Sequence, residues 1–271
     1  MLKMIFKKLI GFQFFFLLIA FFVLPSLAHA GCKSVIFSDS TKVKRLYGKN
    51  VHMKVQPAST TKVMTALLAM EKLSLDSYVT VSHRASLAQP SKLYLKPGER
   101  YRVRDLIQAI LLNSANDAAI VLAEAVAGSE WQFVQMMNAR AKKLGAKNTK
   151  FANANGLPTK KTTQYTTAYD MYLIFRQALK KQYFKDIIRL KYSSITSQDG
   201  RKIGLKSHNK MLFKDWKRKI YGKTGYTRAA GPCFVGTLQK GESTLIIAVF
   251  DCDDRWNNIK YIVSRYAGLS F

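Results

Sequence analysis

The chain has 271 residues, 48% of them hydrophobic, and only three are cysteines. That length supports one large or two interleaved domains with a substantial core, and it excludes a small scaffold held by disulfides or a metal. Lysines and arginines number 44 against 16 acids, a formal net charge of +28, which suits polyanionic partners, the plain alternative being a solvated basic surface that serves solubility.

Residues 1–30 carry the three parts of a secretory signal: Lys3, Lys7 and Lys8, an apolar run from Leu9 to Leu24, and Ala28-His29-Ala30. Cleavage is expected after Ala30. Two alternatives stay open. The apolar run is only slightly shorter than a membrane span, so the segment could stay as an uncleaved anchor. Cys32 could be lipidated, although His29 stands where such signals usually carry leucine. Loss of the three signal lysines leaves +25 on the mature chain. Export turns that charge away from nucleic acid and toward anionic wall polymers, the head groups of a membrane surface, or acidic peptides.

Val35-Ile36-Phe37, then Val43 and Leu46-Tyr47, read as a short hairpin over 34–47. A loop-rich passage with Pro90, Pro97 and Gly98 precedes helical patterns at 105–112 and 118–127, the second closed by Gly128. Residues 131–144 form another amphipathic helix closed by Gly145, and Asn153-Ala-Asn155-Gly156-Leu157-Pro158 is turn chemistry. Thr167 followed by Asp170 is a capping signal for a helix through Leu179. Strands are predicted at 217–223, 232–239 and 243–251, with a closing helix at 257–266.

Cys233 and Cys252 flank the last hairpin, whose turn near Lys240-Gly241 sets Cys233 opposite residue 248 or 249. An offset of three or four residues is ~10 Å or more along a strand, so buried free thiols are expected. No metal-ligand spacing appears among Cys, His and acids, and no cofactor is expected. Strands at both ends of the mature chain bracket a helical middle, which argues for an α/β sheet domain with an inserted helical domain and a site between them.

The chemistry centres on Pro57-Ala-Ser59-Thr-Thr-Lys62. Residues three apart on a helix are neighbours on one face, so an amine at 62 lies beside a hydroxyl at 59. A serine needs an adjacent base, and a lysine serves only if burial or nearby positive charge lowers its pKa. Pro57 suits a first helical turn, which places Ser59 where free N–H groups favour developing negative charge. Apolar Val63, Met64, Leu67, Leu68 and Met70 supply the burial. About one Ser-x-x-Lys is expected by chance in such a chain, and Ser207-His208-Asn209-Lys210 is a second. What separates the first is the order that follows it, Ser114-Ala-Asn116 and then Lys223-Thr-Gly225. Taken alone, Ser114 and Asn116 also read as helix caps.

With Leu95-Lys-Pro-Gly-Glu99, Ser114-Ala-Asn-Asp-Ala-Ala119, Asn155-Gly-Leu157, Lys223-Thr-Gly-Tyr-Thr227 and Ala230-Gly231 in that order, the chain resembles the D-alanyl-D-alanine carboxypeptidases. These are low-molecular-weight penicillin-binding proteins of serine peptidase family S11. The resemblance implies a β-lactamase/DD-peptidase-like α/β fold, an antiparallel sheet flanked by helices: a catalytic domain over 31–271, with a sheet part at 31–61 and 201–271 and a helical part at 62–200. It also implies the roles. Ser59 attacks the carbonyl between two D-alanines and Lys62 takes its proton. Ser114 relays a proton to the leaving amine, and Asn116 bonds the substrate amide and holds Lys62. Lys223 adds positive charge, Thr224 bonds the terminal carboxylate, and Gly225 lets a peptide lie on the strand edge. The N–H groups of Ser59 and Tyr226 form an oxyanion hole. Arg255 stands where a carboxylate-binding arginine is expected, the alternative being a surface arginine beside Asp253 and Asp254. His208 receives no role.

The implied partners are peptidoglycan stem peptides as substrate and β-lactams as inhibitors. Many relatives continue into a small β domain and an amphipathic anchor, whereas here the sequence stops at Phe271, so no C-terminal β domain is expected and attachment through a C-terminal anchor stays open. A class A β-lactamase would need a glutamate in a Glu-x-x-x-Asn setting, which neither Glu124 nor Glu130 has. A D,D-endopeptidase and a non-catalytic cationic wall-binding protein remain as alternatives.

Overall fold

The structure is a computed structural model that describes residues 31–160 and 162–271; the signal segment expected at 1–30 lies outside the described residues. The chain begins with the antiparallel pair β1 (Cys32–Asp39) and β2 (Lys44–Lys49), then passes through a 3-10 turn at Ala58–Thr61 into α1 (Lys62–Lys72). A helical middle follows: β3 (Tyr78–Thr80), α2 (His83–Ser86), β4 (Arg100–Arg102), α3 (Val103–Leu112), α4 (Asn116–Ala127), α5 (Glu130–Lys143), α6 (Ala168–Ala178) and α7 (Gln182–Ile187). The hairpin of β5 (Tyr192–Thr196) and β6 (Lys202–Lys206) leads to β7 (Tyr221–Thr227), β8 (Gly231–Lys240), β9 (Ser243–Cys252) and α8 (Arg255–Ala267).

The main sheet has the order β2-β1-β9-β8-β7, with every pairing antiparallel. Successive side chains on a strand point to opposite faces, and here both faces are covered. Val35, Phe37, Ile247 and Val249 pack with Ile259, Ile262 and Val263 of α8. Ile36, Val235, Ala248 and Phe250 join the larger core built on α1, α3, α4 and α6. Because α1 is buried along most of its length, its first turn is pinned between the sheet and the helical layer. The site grows from that turn.

Local signals explain the helix limits. Thr167 accepts the Asp170 N–H and starts α6 as the sequence predicts, while Ser129 and Asp254 cap α5 and α8 in the same way. Gly128 and Gly268 end α4 and α8 at φ 76° and 63°.

Three differences from the sequence reading bear on the site. The β5–β6 hairpin, which packs on α3, is absent from that reading, and the expected boundary between the helical and sheet parts falls in its turn. Next, β7 begins at Tyr221 rather than 217, because Lys217-Arg218-Lys219 stay in the loop; pairing with β8 starts at Tyr221 opposite Thr237, and the buried positions follow from Gly222. The Lys-Thr-Gly triplet therefore lies inside an edge strand. Finally, Cys252 is not a free thiol. β1 pairs with β9 so that Cys32 faces Cys252, and the two form a disulfide. The expectation considered only the last hairpin, where Phe234 faces Val249 and Cys233 does stay free and buried. The bond also leaves Cys32 no thiol for a lipid.

Candidate active site

Ser59 sits in the 3-10 turn that feeds α1, and Lys62 is the first residue of that helix. In 3-10 geometry positions three apart eclipse, and Lys62 Nζ meets Ser59 Oγ at 3.0 Å. The same Nζ donates to Asn116 Oδ1 and to the Asn155 carbonyl, each at 2.7 Å. Lys62 is wholly buried. Desolvation first, and then the positive charge of Lys223, holds its pKa well below the ordinary lysine value, with Asp117 opposing the shift. A buried lysine with its charge disfavoured can be a neutral amine at working pH, which a base for Ser59 requires.

Lys223 is equally buried and donates to Ser114 Oγ (3.0 Å) and to its neighbour's carbonyl, Thr224 O (2.9 Å). Burial, helped by Arg255, lowers its pKa to about 7. Ser114 does not cap α4: the capping position is Ala115, which makes no side-chain cap. Ser114 instead adopts φ 59°, a left-handed backbone that a serine holds only when its surroundings impose it. Ala58, just before the nucleophile, does the same at φ 45°.

Asn116 is used at both ends of its amide, accepting from Lys62 and donating to Gln89 O (2.8 Å). Holding Lys62 is thus built in, and only the second lone pair of Oδ1 is left for a substrate N–H. Gly225 faces the nucleophile turn: a Cβ there would lie 3.2 Å from Ala58 Cβ, Pro57 O and Ser59 N. The missing side chain brings β7 against the Ser59 N–H as well as leaving the strand edge open. Tyr226, next on that edge, is 67% exposed. Arg255 is more than a surface arginine. Its Nη1 donates to Gly225 O (3.1 Å) and Cys233 O (2.6 Å), its guanidinium lies over the Trp256 ring, and its Nε is buried without a partner.

These groups line one cleft of about 230 Å³, bounded by Ser59, Ser91, Ser114, Asn116, Thr224 and Arg255, among others. All nine residues selected from the sequence meet in or directly behind it. The second Ser-x-x-Lys does not form a pair, for Ser207 Oγ accepts the Asn209 N–H and Lys210 is exposed.

Other contributors are not among the residues selected from the sequence. The Asn155 carbonyl is the third partner of Lys62, and its loop is shaped by side-chain turns: Asn153 Oδ1 accepts from Gly156 N and Asn155 Oδ1 from Leu157 N. Gly156, at φ 85°, could not carry a side chain, since a Cβ would lie 1.8 Å from Ala58 O. Asp117 is buried and accepts from Leu93, Leu95 and Ala118 N–H groups, which fastens the wall at Pro90 and Ser91 to α4. A polar residue straight after Ser-Ala-Asn was the available signal. His208 also lines the cleft.

Comparison with known proteins agrees with this arrangement. The sequence profile of the family described as D-alanyl-D-alanine carboxypeptidase matches residues 24–254. The D-alanyl-D-alanine carboxypeptidase DacF of Bacillus subtilis (strain 168) is 34% identical over 234 residues, covering 83% of this chain and 58% of that protein. The chain thus spans a little over half the length of that relative. Among solved structures, the D-alanyl-D-alanine carboxypeptidase from Mycobacterium tuberculosis H37Rv superposes with a TM-score of 0.80 at 30% identity, covering 88% of this chain and 90% of that one. A point mutant of the Streptomyces K15 DD-transpeptidase superposes at 0.79 with 25% identity, covering 88% and 98%.

Proposed function

The chain belongs to the D-alanyl-D-alanine carboxypeptidase family, and from that premise we propose that it removes the terminal D-alanine from peptidoglycan stem pentapeptides through an acyl-enzyme on Ser59. The observation that carries this reading is the buried Lys62 amine, 3.0 Å from Ser59 Oγ and depressed in pKa. Neutral Lys62 takes the hydroxyl proton as Oγ attacks the carbonyl between the two D-alanines. The oxyanion forms toward the N–H groups of Ser59 and Tyr226. Ser114, bonded to Lys223, passes a proton to the leaving amine, and D-alanine departs. Thr224 and Arg255 sit where the terminal carboxylate is received. Water then releases the shortened peptide.

Action on wall peptides places the protein outside the cytoplasm, in the periplasm or another extracytoplasmic layer of the envelope. Among the described residues no helix is long and apolar enough to cross a membrane. The charge of +28 fits anionic wall polymers as a further partner.

The test is to incubate the protein with a wall pentapeptide and measure free D-alanine. Penicillin should add its mass to the peptide containing Ser59, and Ser59→Ala should abolish both signals while leaving the thermal transition unchanged. Labelling at Ser207 would sink the assignment. A cross-linked dimer in the same assay separates carboxypeptidase from D,D-endopeptidase preference.

A further inference from the structure

Most polar groups facing the cleft are already bound to protein. Ser59 and Asn116 hold Lys62, Ser114 holds Lys223, Ser91 Oγ donates to Asn113 O, and Arg255 Nη1 is held by two carbonyls. Among the described residues, the His208 ring makes no hydrogen bond, and yet it lines the same cleft. Its backbone is fixed from three sides. The His208 N–H donates to Leu112 O (3.1 Å), two residues before Ser114. Ser207 N donates to Lys191 O (2.9 Å), and Asn209 Nδ2 donates to Ile220 O (2.7 Å), just ahead of β7. An unpartnered imidazole on so rigid a support has the character of a recognition group rather than a loose surface side chain.

The charge around it indicates the ligand. Desolvation first, then Lys223 and then Lys62, lower the His208 pKa to about 4 even though the residue is exposed at the rim. Arg255 lines the same cleft, and no acid is among its lining residues. Thr224 lines that cleft as well. There His208 presents a neutral ring with one N–H to give, in surroundings that favour an anion.

Resting on the carboxypeptidase reading, we propose that His208 is a substrate-binding residue that donates a ring N–H to the C-terminal carboxylate beside Thr224, and so selects peptides with a free C-terminus. Arg255 alone serves this purpose poorly, because one of its nitrogens is occupied with the main chain of β7 and β8. A hydrogen bond to a carboxylate is stronger than a neutral one, and its loss should weaken binding roughly tenfold or more.

The experiment measures calorimetric binding of an N-acylated D-Ala-D-Ala peptide and of its C-terminal amide to Ser59→Ala protein, with and without His208→Ala or His208→Gln. His208→Ala should weaken the carboxylate peptide roughly tenfold or more and leave the amide unchanged. His208→Gln keeps a neutral N–H donor and should recover part of the loss, which guards against a folding artefact. Equal weakening of both peptides, or of neither, would overturn the proposal, as would no binding of either. If the expected pattern holds and the native enzyme nevertheless releases no D-alanine, the carboxypeptidase reading falls and the His208 assignment stands.

Discussion

Lys62 and Lys223 show what the site demands of single residues. Each is an ammonium-forming group taken out of water, a cost that fits the proposed chemistry, in which a neutral Lys62 serves as the base. The cost has a sign. Lys223 has a pKa of about 7 in the folded protein against an ordinary 10.5. Between those values the unfolded chain binds more protons, so stability rises with pH; the penalty is complete below about 7 and is relieved as pH climbs toward 10.5. Lys223→Met removes this titration. Its urea midpoint should therefore gain less than the wild-type midpoint between about pH 7 and about pH 9, with Lys62, whose pKa burial also lowers, contributing in the same sense. Parallel pH profiles would mean that Lys223 is not depressed. A second prediction concerns deacylation. The cleft has no lining carboxylate, and Glu130 is committed to Arg84 and to Ala154 N. No acid can therefore activate a water past the tethered leaving group of an opened penicillin. Intact mass followed after removal of excess penicillin should show the Ser59 adduct outlasting many peptide turnovers. Loss of the adduct as fast as peptide is turned over would mark a β-lactamase.

At the scale of elements, much was legible where local chemistry decides. Caps at Thr167 and glycines at 128 and 145 bound helices on the sequence alone, and the continuous apolar runs in Val35-Ile36-Phe37 and in β8–β9 reflect a sheet covered on both faces. The order Ser-x-x-Lys, Ser-x-Asn, Lys-Thr-Gly marks the site because each reactive side chain must be of one type. What stayed hidden depends on distant partners or on the backbone. The β5–β6 hairpin is polar and half exposed, and gains its place by packing on α3. The Asn155 carbonyl that completes the Lys62 shell leaves no mark in side-chain identity. The disulfide joins positions 220 apart in sequence, through a pairing of β1 with β9 that no hairpin rule supplies. It closes a very long loop, so its removal by Cys252→Ser should cost roughly 2–5 kcal/mol in chemical denaturation. Thiol titration without reductant should find Cys233 alone, and only in denaturant, since burial pushes its pKa up to about 12 and shields it. Two or more reactive thiols in unreduced protein would refute the pairing.

For the molecule as a whole, the open question is whether the charge of +28 does more than keep the protein in solution. The basic residues are not spread evenly. Residues 180–219 hold thirteen lysines and arginines against three aspartates, and this stretch runs from α7 through β5 and β6 to the loop that feeds β7. Lys214, Lys217 and Arg218 are exposed on that loop, between His208 at the cleft and the strand that carries Lys223. A polymer of repeating negative charge held there would be brought close to the nucleophile without occupying the cleft. Attraction of this kind is long-ranged at low ionic strength and fades once the Debye length falls to about 10 Å, near 0.1 M salt. Chemistry inside the buried cleft is screened far less. Binding to isolated sacculi should therefore weaken steeply as salt rises, while turnover of a short peptide changes little. The triple change of Lys214, Lys217 and Arg218 to Gln should flatten the salt dependence of sacculus binding and leave short-peptide turnover near the wild-type rate, whereas the same number of neutralisations at Lys42, Lys44 and Arg45, beside the far edge strand β2, should do less. Sacculus binding that ignores salt, or that responds equally to both triple changes, would reduce the charge to a solubility device with no preferred face.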